Sequence, residues 1–221
     1  MTTLSRRGLL ATTGALSLAG VLAACADTGA DGKAVASSSA SDADYDKAIN
    51  SGPVAAADVV AASPWAASVK QAKKLVTGGT KTSEVFSWED SKTKKISGFD
   101  AAIAQALARY IIGGDDARSL LEVQQVTSET RETVLTNGTV KAVIATYTIT
   151  PERAKKIDFA GPYYASSQAI LVKADNKDIT GVDTLTGDVA VQSNSSSAAA
   201  LKKYAPKATA KPFDTQAKCV A

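Results

Sequence analysis

Residues 131–164 read RETVLTNGTVKAVIATYTITPERAKKIDFAGPYY. The middle of this stretch, Val140 to Ala145, is apolar and predicts a buried strand. It surfaces into hydroxyls at Thr146, Thr148 and Thr150. A helix is predicted at once, because Thr150 is a good N-cap, Pro151 fits the first helical position, and Glu152 and Arg153 complete the first turn. A guanidinium, free backbone N–H groups and hydroxyls therefore meet at the carboxyl end of a strand. Such a place suits a small anion or zwitterion, since a helix N-terminus and an arginine both favour a carboxylate.

The elements before this stretch alternate. Ser63-Pro64 predicts an N-cap and first helical residue for a helix to about Lys73, and Leu75-Val76-Thr77 a short strand ending in Gly78-Gly79-Thr80-Lys81. Gly98-Phe99-Asp100 opens a helix whose apolar positions Phe99, Ile103, Leu107, Tyr110 and Ile111 have helical spacing and are expected in the core. Gly113-Gly114-Asp115 ends it; Leu120 to Val126 reads as the next strand and Glu129 to Thr136 as the next helix, with a turn at Asn137-Gly138. Strand, helix, strand, helix, strand implies a parallel α/β sheet with ligands at the carboxyl ends of its strands.

Composition removes several classes of function. The chain has 221 residues, a formal charge of +3, and no histidine. No Ser–His–Asp triad and no His-ligated metal site is possible, and the commonest general base is missing. Cys25 and Cys219 form no CxxC and no zinc pattern, and no basic stripe suggests nucleic acid. No GxxxxGK[ST] is present, so any ATP hydrolysis belongs to a partner subunit. No cofactor and no catalytic residue is assigned.

The N-terminus reads as a sorting signal. Arg6-Arg7 precede an apolar run to about Leu22, shorter than the ~20 residues a membrane-spanning helix needs. The paired arginines within Ser5 to Leu10 resemble a twin-arginine export signal, with a plain Sec signal as the alternative. Leu22-Ala23-Ala24-Cys25 looks like a lipobox, which would make Cys25 the acylated first residue of an exported, lipid-anchored protein. Residues 1–24 are thus read as signal peptide. Residues 25–62 are read as a flexible Ala-, Ser-, Gly- and Asp-rich tether with a weakly helical lead-in from Tyr45.

The stretch Arg131 to Tyr164 closely resembles the extracellular solute-binding proteins of amino-acid ABC importers, family 3. The pieces are Arg131, the Leu135-to-Gly138 turn, the strand, Thr146 to Arg153, and Asp158 to Tyr163, and the resemblance runs from about Leu75 to the end. It implies a periplasmic-binding-protein type 2 fold, two α/β lobes joined by a hinge. The first lobe is then residues 63–166, and residues 167–221 hold the hinge strand, Gln168 to Lys173, and part of the second lobe. Gly98-Phe99-Asp100 also resembles a family signature, although Ala101 and Ala102 depart from it.

The resemblance also implies roles. Arg153 would clamp the α-carboxylate of an amino acid, while Thr148 and Thr146 meet its ammonium and other polar atoms. Lys81, with Phe86 or Trp88, would wall the cleft, and backbone N–H groups at Ser195 and Ser196 would close on the same carboxylate, Asn194 standing where glycine is usual. Arg131 precedes Thr146 by 15 residues, the position of an arginine that meets the side-chain carboxylate in glutamate- and aspartate-binding members. Ala145 to Ile149 also looks like the glutamate-binding lipoproteins of Gram-positive uptake systems.

The expected function is therefore non-enzymatic capture of an acidic amino acid by a monomer, on the outer face of the cytoplasmic membrane, for delivery to a permease and its ATPase. Family members continue past the position of Ala221, so the chain is expected to be truncated, with an incomplete second lobe, unpaired sheet edges and Cys219 as a free thiol. Two alternatives stand beside this reading. One is an enzyme on the same scaffold, such as a cyclohexadienyl dehydratase using Glu84; the other is a fragment that does not bind. A sensor ectodomain is disfavoured.

Overall fold

A computed structural model describes residues 41–220. The signal, the lipobox with Cys25 and the start of the tether lie outside the described residues. The elements are, in chain order, α1 (Asp42–Asn50), α2 (Ala57–Ala61), α3 (Pro64–Ala72), β1 (Leu75–Gly79), β2 (Thr82–Ser83), β3 (Ser87–Glu89), β4 (Ile96–Ser97) and α4 (Phe99–Ile112). Then come β5 (Leu121–Gln125), α5 (Arg131–Thr136), β6 (Ala142–Val143), α6 (Pro151–Ala154), a 3-10 turn, β7 (Gly187–Gln192), α7 (Ser197–Tyr204), β8 (Ala208–Phe213) and α8 (Gln216–Val220).

The sheet that positions the site has the order β5-β1-β6, all parallel, with Leu75 opposite Leu121 and Thr77 opposite Ala142. β1 is central and nearly all buried, as a parallel strand covered on both faces must be. Val60, Ala66, Val69, Ala108 and Ile111 pack with Leu75 of this strand as the core. Gly78 and Gly79 lie inside β1, which runs two residues past the strand predicted at Leu75-Val76-Thr77. A Cβ on Gly79 would stand 2.9 Å from Val123 Cγ1, and one on Gly78 3.0 Å from Val126 and Val143. Small residues here let the neighbouring strands and the Val126 side chain close over β1.

Local signals explain most helix ends. Ser63 Oγ accepts from Ala66 N–H at 3.3 Å, and α3 stops at Lys73, which is left-handed. α4 starts at Gly98, whose φ of +115° is one that side chains rarely adopt. The space forbids a side chain as well, because a Cβ on Gly98 would come within 2.5 Å of Phe86 O.

The lead-in, expected to be weakly helical from Tyr45, is helical from Asp42 and is part of the packed structure. Ile49 is 2% exposed and Val60 7%. Tyr45 Oη donates to Gln105 Oε1 at 2.8 Å and to Gly98 O at 3.2 Å. The Arg118 guanidinium lies 4.5 Å above the Tyr45 ring and pairs with Asp46. Burial pushes the Tyr45 phenol up to about 12. α1 has few apolar residues, so its docking rests on these long polar side chains, which a periodicity search does not see.

Two further expectations change. Phe99 and Tyr110 are 41% and 38% exposed and are not core; Phe99 faces Tyr163 and Tyr164, at 6.2 and 5.6 Å between ring centroids. Gln168 to Lys173 forms no strand and is largely exposed. β7 and β8 pair in parallel, with Leu185, Val191 and Ala205 buried around them and Phe213 and Tyr204 exposed. Cys219 is a free thiol.

Gly98→Ala should lower stability by about 3 kcal/mol, because the methyl group meets a backbone carbonyl that cannot rotate away. Urea denaturation checks this, and a change within about 0.5 kcal/mol would contradict it.

Candidate functional site

The first-lobe residues of the site stand where β1 and β6 end. Beyond β6, Ala145 is buried and Thr146 turns into the left-handed region at φ +47°. Thr150 Oγ1 accepts from Arg153 N–H at 3.3 Å and starts α6, as its sequence predicts, although α6 is only four residues long. This short turn of helix sets the position of Arg153.

Arg153 is held on several sides. Nη1 donates to Thr148 O at 2.7 Å and Nη2 to Asn194 O at 3.0 Å, while Nε stands 3.9 Å from Glu132 Oε1. Its Cζ lies 4.3 Å from the centroid of the Tyr147 ring. Arg131 meets the same ring, with Cζ 3.8 Å from that centroid. The two arginines singled out from the sequence therefore share one aromatic surface, and neither faces bulk water.

Arg131 is the less satisfied of the pair. It is 5% exposed, its Nη1 donates to Ala145 O at 3.3 Å, and its Nε has no partner among the described residues. It makes no ion pair among them either. Burial, and secondarily the charge of Arg153, bring its guanidinium down to about 10. A buried cation with an unmet donor is costly unless an anion joins it.

The nearby carboxylate is already engaged. Glu132 accepts from Tyr147 Oη, and from Lys156 Nζ at 3.1 Å. The Tyr147 bond is the main reason that the Glu132 carboxyl sits below its usual range. Burial, reinforced by Glu132, raises the Tyr147 phenol to about 12. Tyr147 and Glu132 were not singled out from the sequence. Their one signal is position, since each adjoins a residue that was.

The second lobe reaches the same place. Thr148 Oγ1 and Ser196 Oγ are 3.2 Å apart, and Gln168 bridges Ser196 and Ser197. Ser195 Oγ accepts from Ser197 N–H, a local cap. Asn194 is left-handed at φ +54°, which explains why its position suits glycine and tolerates asparagine.

Arg131, Thr146, Thr148, Ser195, Ser196 and Phe86 line one cleft of about 2890 Å³. This is several times the ~300–1,000 Å³ of an enclosed small-molecule pocket, so the cleft is open. Arg153, Lys81 and Trp88 are not among its lining residues. Lys81 Nζ pairs with Glu89 at 2.9 Å across the β2–β3 hairpin, and Thr80 takes its place on the wall. Glu84 lines the cleft but is exposed. No cluster of three metal-ligating side chains exists among the described residues, and no described helix is long and apolar enough to cross a membrane.

A parallel α/β lobe with cationic and hydroxyl groups at its strand ends, facing a second α/β unit, defines the type 2 periplasmic-binding-protein class. Residues 75–215 match bacterial extracellular solute-binding proteins, family 3, and the chain belongs to that family. It is 36% identical over 150 residues to the glutamine-binding protein of Geobacillus stearothermophilus, covering 67% of this chain and 56% of that one. It is 31% identical over 150 residues to the glutamate-binding protein GluB of Corynebacterium efficiens, covering 66% of this chain and 50% of that one. The chain thus spans about half the length of the curated relatives it matches. Among solved structures, an ancestral amino acid-binding protein that is a precursor of cyclohexadienyl dehydratase superposes with a TM-score of 0.63 at 32% identity, over 70% of this chain and 68% of that one.

Tyr147→Phe keeps the ring beneath both guanidiniums and loses only the Glu132 bond, so it should cost about 0.5–1.5 kcal/mol of stability. Tyr147→Ala removes the ring and should cost about 3 kcal/mol or more. Paired denaturation curves check the ordering, and equal losses would show that the ring does not hold the arginines.

Proposed function

We propose that this protein is the extracytoplasmic binding component of an amino-acid ABC importer and that its ligand is an acidic amino acid, glutamate or aspartate. The observation that carries the ligand is Arg131, a 95%-buried cation (5% exposed) on the cleft wall with an unpartnered Nε and no ion pair among the described residues. An α-amino acid brings one carboxylate, for which Arg153 is the clamp. A second carboxylate on the ligand would give Arg131 the anion that the described residues do not supply.

The remaining roles follow from polarity. Thr148 and Thr146 present hydroxyl and carbonyl oxygens to the ligand ammonium, and Ser195 and Ser196 approach from the second lobe. Capture is by closure of two lobes about a hinge, with delivery to a permease and ATPase. Acylation at Cys25 would keep the binding protein at the outer face of the membrane, and it would act there as a monomer without chemistry of its own.

A second reading, glutamine as ligand, is favoured by the glutamine-binding name of the Geobacillus relative. Calorimetry on the wild type and two variants separates the two. The wild type should bind glutamate more tightly than glutamine. Arg153→Ala should cost about 3–5 kcal/mol of binding for either amino acid. Arg131→Ala should remove the preference for glutamate and leave glutamine within a few-fold. Equal losses for both ligands at residue 131, or a wild type that prefers glutamine, would overturn the acidic assignment. Turnover of a prephenate-like substrate would overturn the non-enzymatic one.

A further inference from the structure

Asp100, in the first turn of α4, is 1% exposed, and among the described residues it has no cation within ion-pair distance. Its partners are two neutral donors. Thr146 N–H donates to Oδ2 at 2.8 Å, and Tyr163 Oη donates to Oδ1 at 3.0 Å. A buried carboxylate with so few donors is an expensive residue for a helix that could carry alanine there, as it does at the next two positions. Burial outweighs both hydrogen bonds and raises its carboxyl above the usual range.

What the carboxylate holds explains its presence. Thr146 is β-branched yet left-handed, a conformation such residues adopt only when neighbours impose it. Thr146 N–H bonds to Asp100 at this turn, from which the chain goes on toward Tyr147, Thr148 and Arg153. The other oxygen holds Tyr163, in the segment that leaves the first lobe, whose ring also faces Phe99.

We propose that Asp100 is the positioning residue of the ligand site. One carboxylate oxygen locks the Thr146 turn in its left-handed form, and the other ties that turn to Tyr163 where the chain departs for the second lobe. The ligand-facing consequence rests on the reading of Thr146 and Thr148 as ligand contacts; the lock on the turn does not.

Amide hydrogen exchange followed by NMR on the full chain tests the lock without a ligand. Asp100→Ala should speed exchange at Thr146 by about tenfold or more while the β1 amides keep their protection. Asp100→Asn should largely rescue it, because its oxygen can accept from Thr146 N–H and its amide can donate to Tyr163 Oη. Unchanged exchange at Thr146 in Asp100→Ala would overturn the proposal, as would loss of protection at Thr146 and β1 together, the mark of general loosening.

Glutamate affinity tests the consequence. Asp100→Ala should weaken it about tenfold or more in the wild-type background and by much less in a Thr146→Gly background, where glycine adopts the turn unaided. Equal losses in the two backgrounds would overturn the role of Asp100 in positioning the site. A wild type that binds no glutamate, with the Thr146 amide behaving as stated, would sink the ligand assignment and leave the lock standing.

Discussion

Two guanidinium groups rest against one tyrosine ring, and the rest of the site answers to that arrangement. Like charges placed together repel, and burial of Arg131 increases the cost. The electron-rich face of the ring offsets part of it, and Glu132 offsets more, since its carboxylate lies 3.9 Å from Arg153 Nε. Lys156, at 3.1 Å from the same carboxylate, draws on that charge too. The site as built therefore keeps an excess of positive charge beside a cleft. The anionic ligand proposed above would offset that excess, which is independent of any relative's name.

The scaffold makes such a cluster tolerable. A parallel sheet delivers successive chain segments to one edge, and the glycines of β1 let its neighbours close tightly beneath that edge. The residues that follow β6 are consequently fixed by packing on one side and free on the other. Capping by Thr150 and the left-handed turn at Thr146 then set where the guanidinium and hydroxyls point. The guanidinium N–H groups themselves donate to backbone carbonyls, those of Ala145, Thr148 and Asn194.

How much of this could be read from the sequence follows from how local each signal is. The cap at Thr150-Pro151, the strand at Leu75 and the long helix after Gly98 are written within a few neighbouring residues, and all three stand as expected. The motif singles out Arg131 and Arg153, and the fold brings both to one tyrosine ring. Phe99 was misread because helical spacing marks a face without saying what covers it, and two tyrosines cover it in place of the core. Lys81 was misread because its partner, Glu89, comes from the other strand of a hairpin. The lead-in is expected to be weakly helical, but its docking is not legible, because it depends on Tyr45, Gln105 and Arg118, residues far apart in the chain. Tyr147, Glu132 and Asp100 share that character, for each is defined by partners that only the fold selects.

The contact between Arg153 and Asn194 joins the second lobe to the proposed clamp through a neutral group. The acceptor there is a backbone carbonyl at 3.0 Å, a neutral group. A carboxylate on the same guanidinium would make charge-assisted bonds roughly twice as strong and could engage two N–H groups at once. The carbonyl is thus the weaker competitor for the donor it holds. Asn194 reaches this position through a left-handed backbone, and the hydroxyl pair of Thr148 and Ser196 lies beside it. Such links are neutral on the second lobe's side, and on the proposed function a charged ligand would compete with them for the guanidinium.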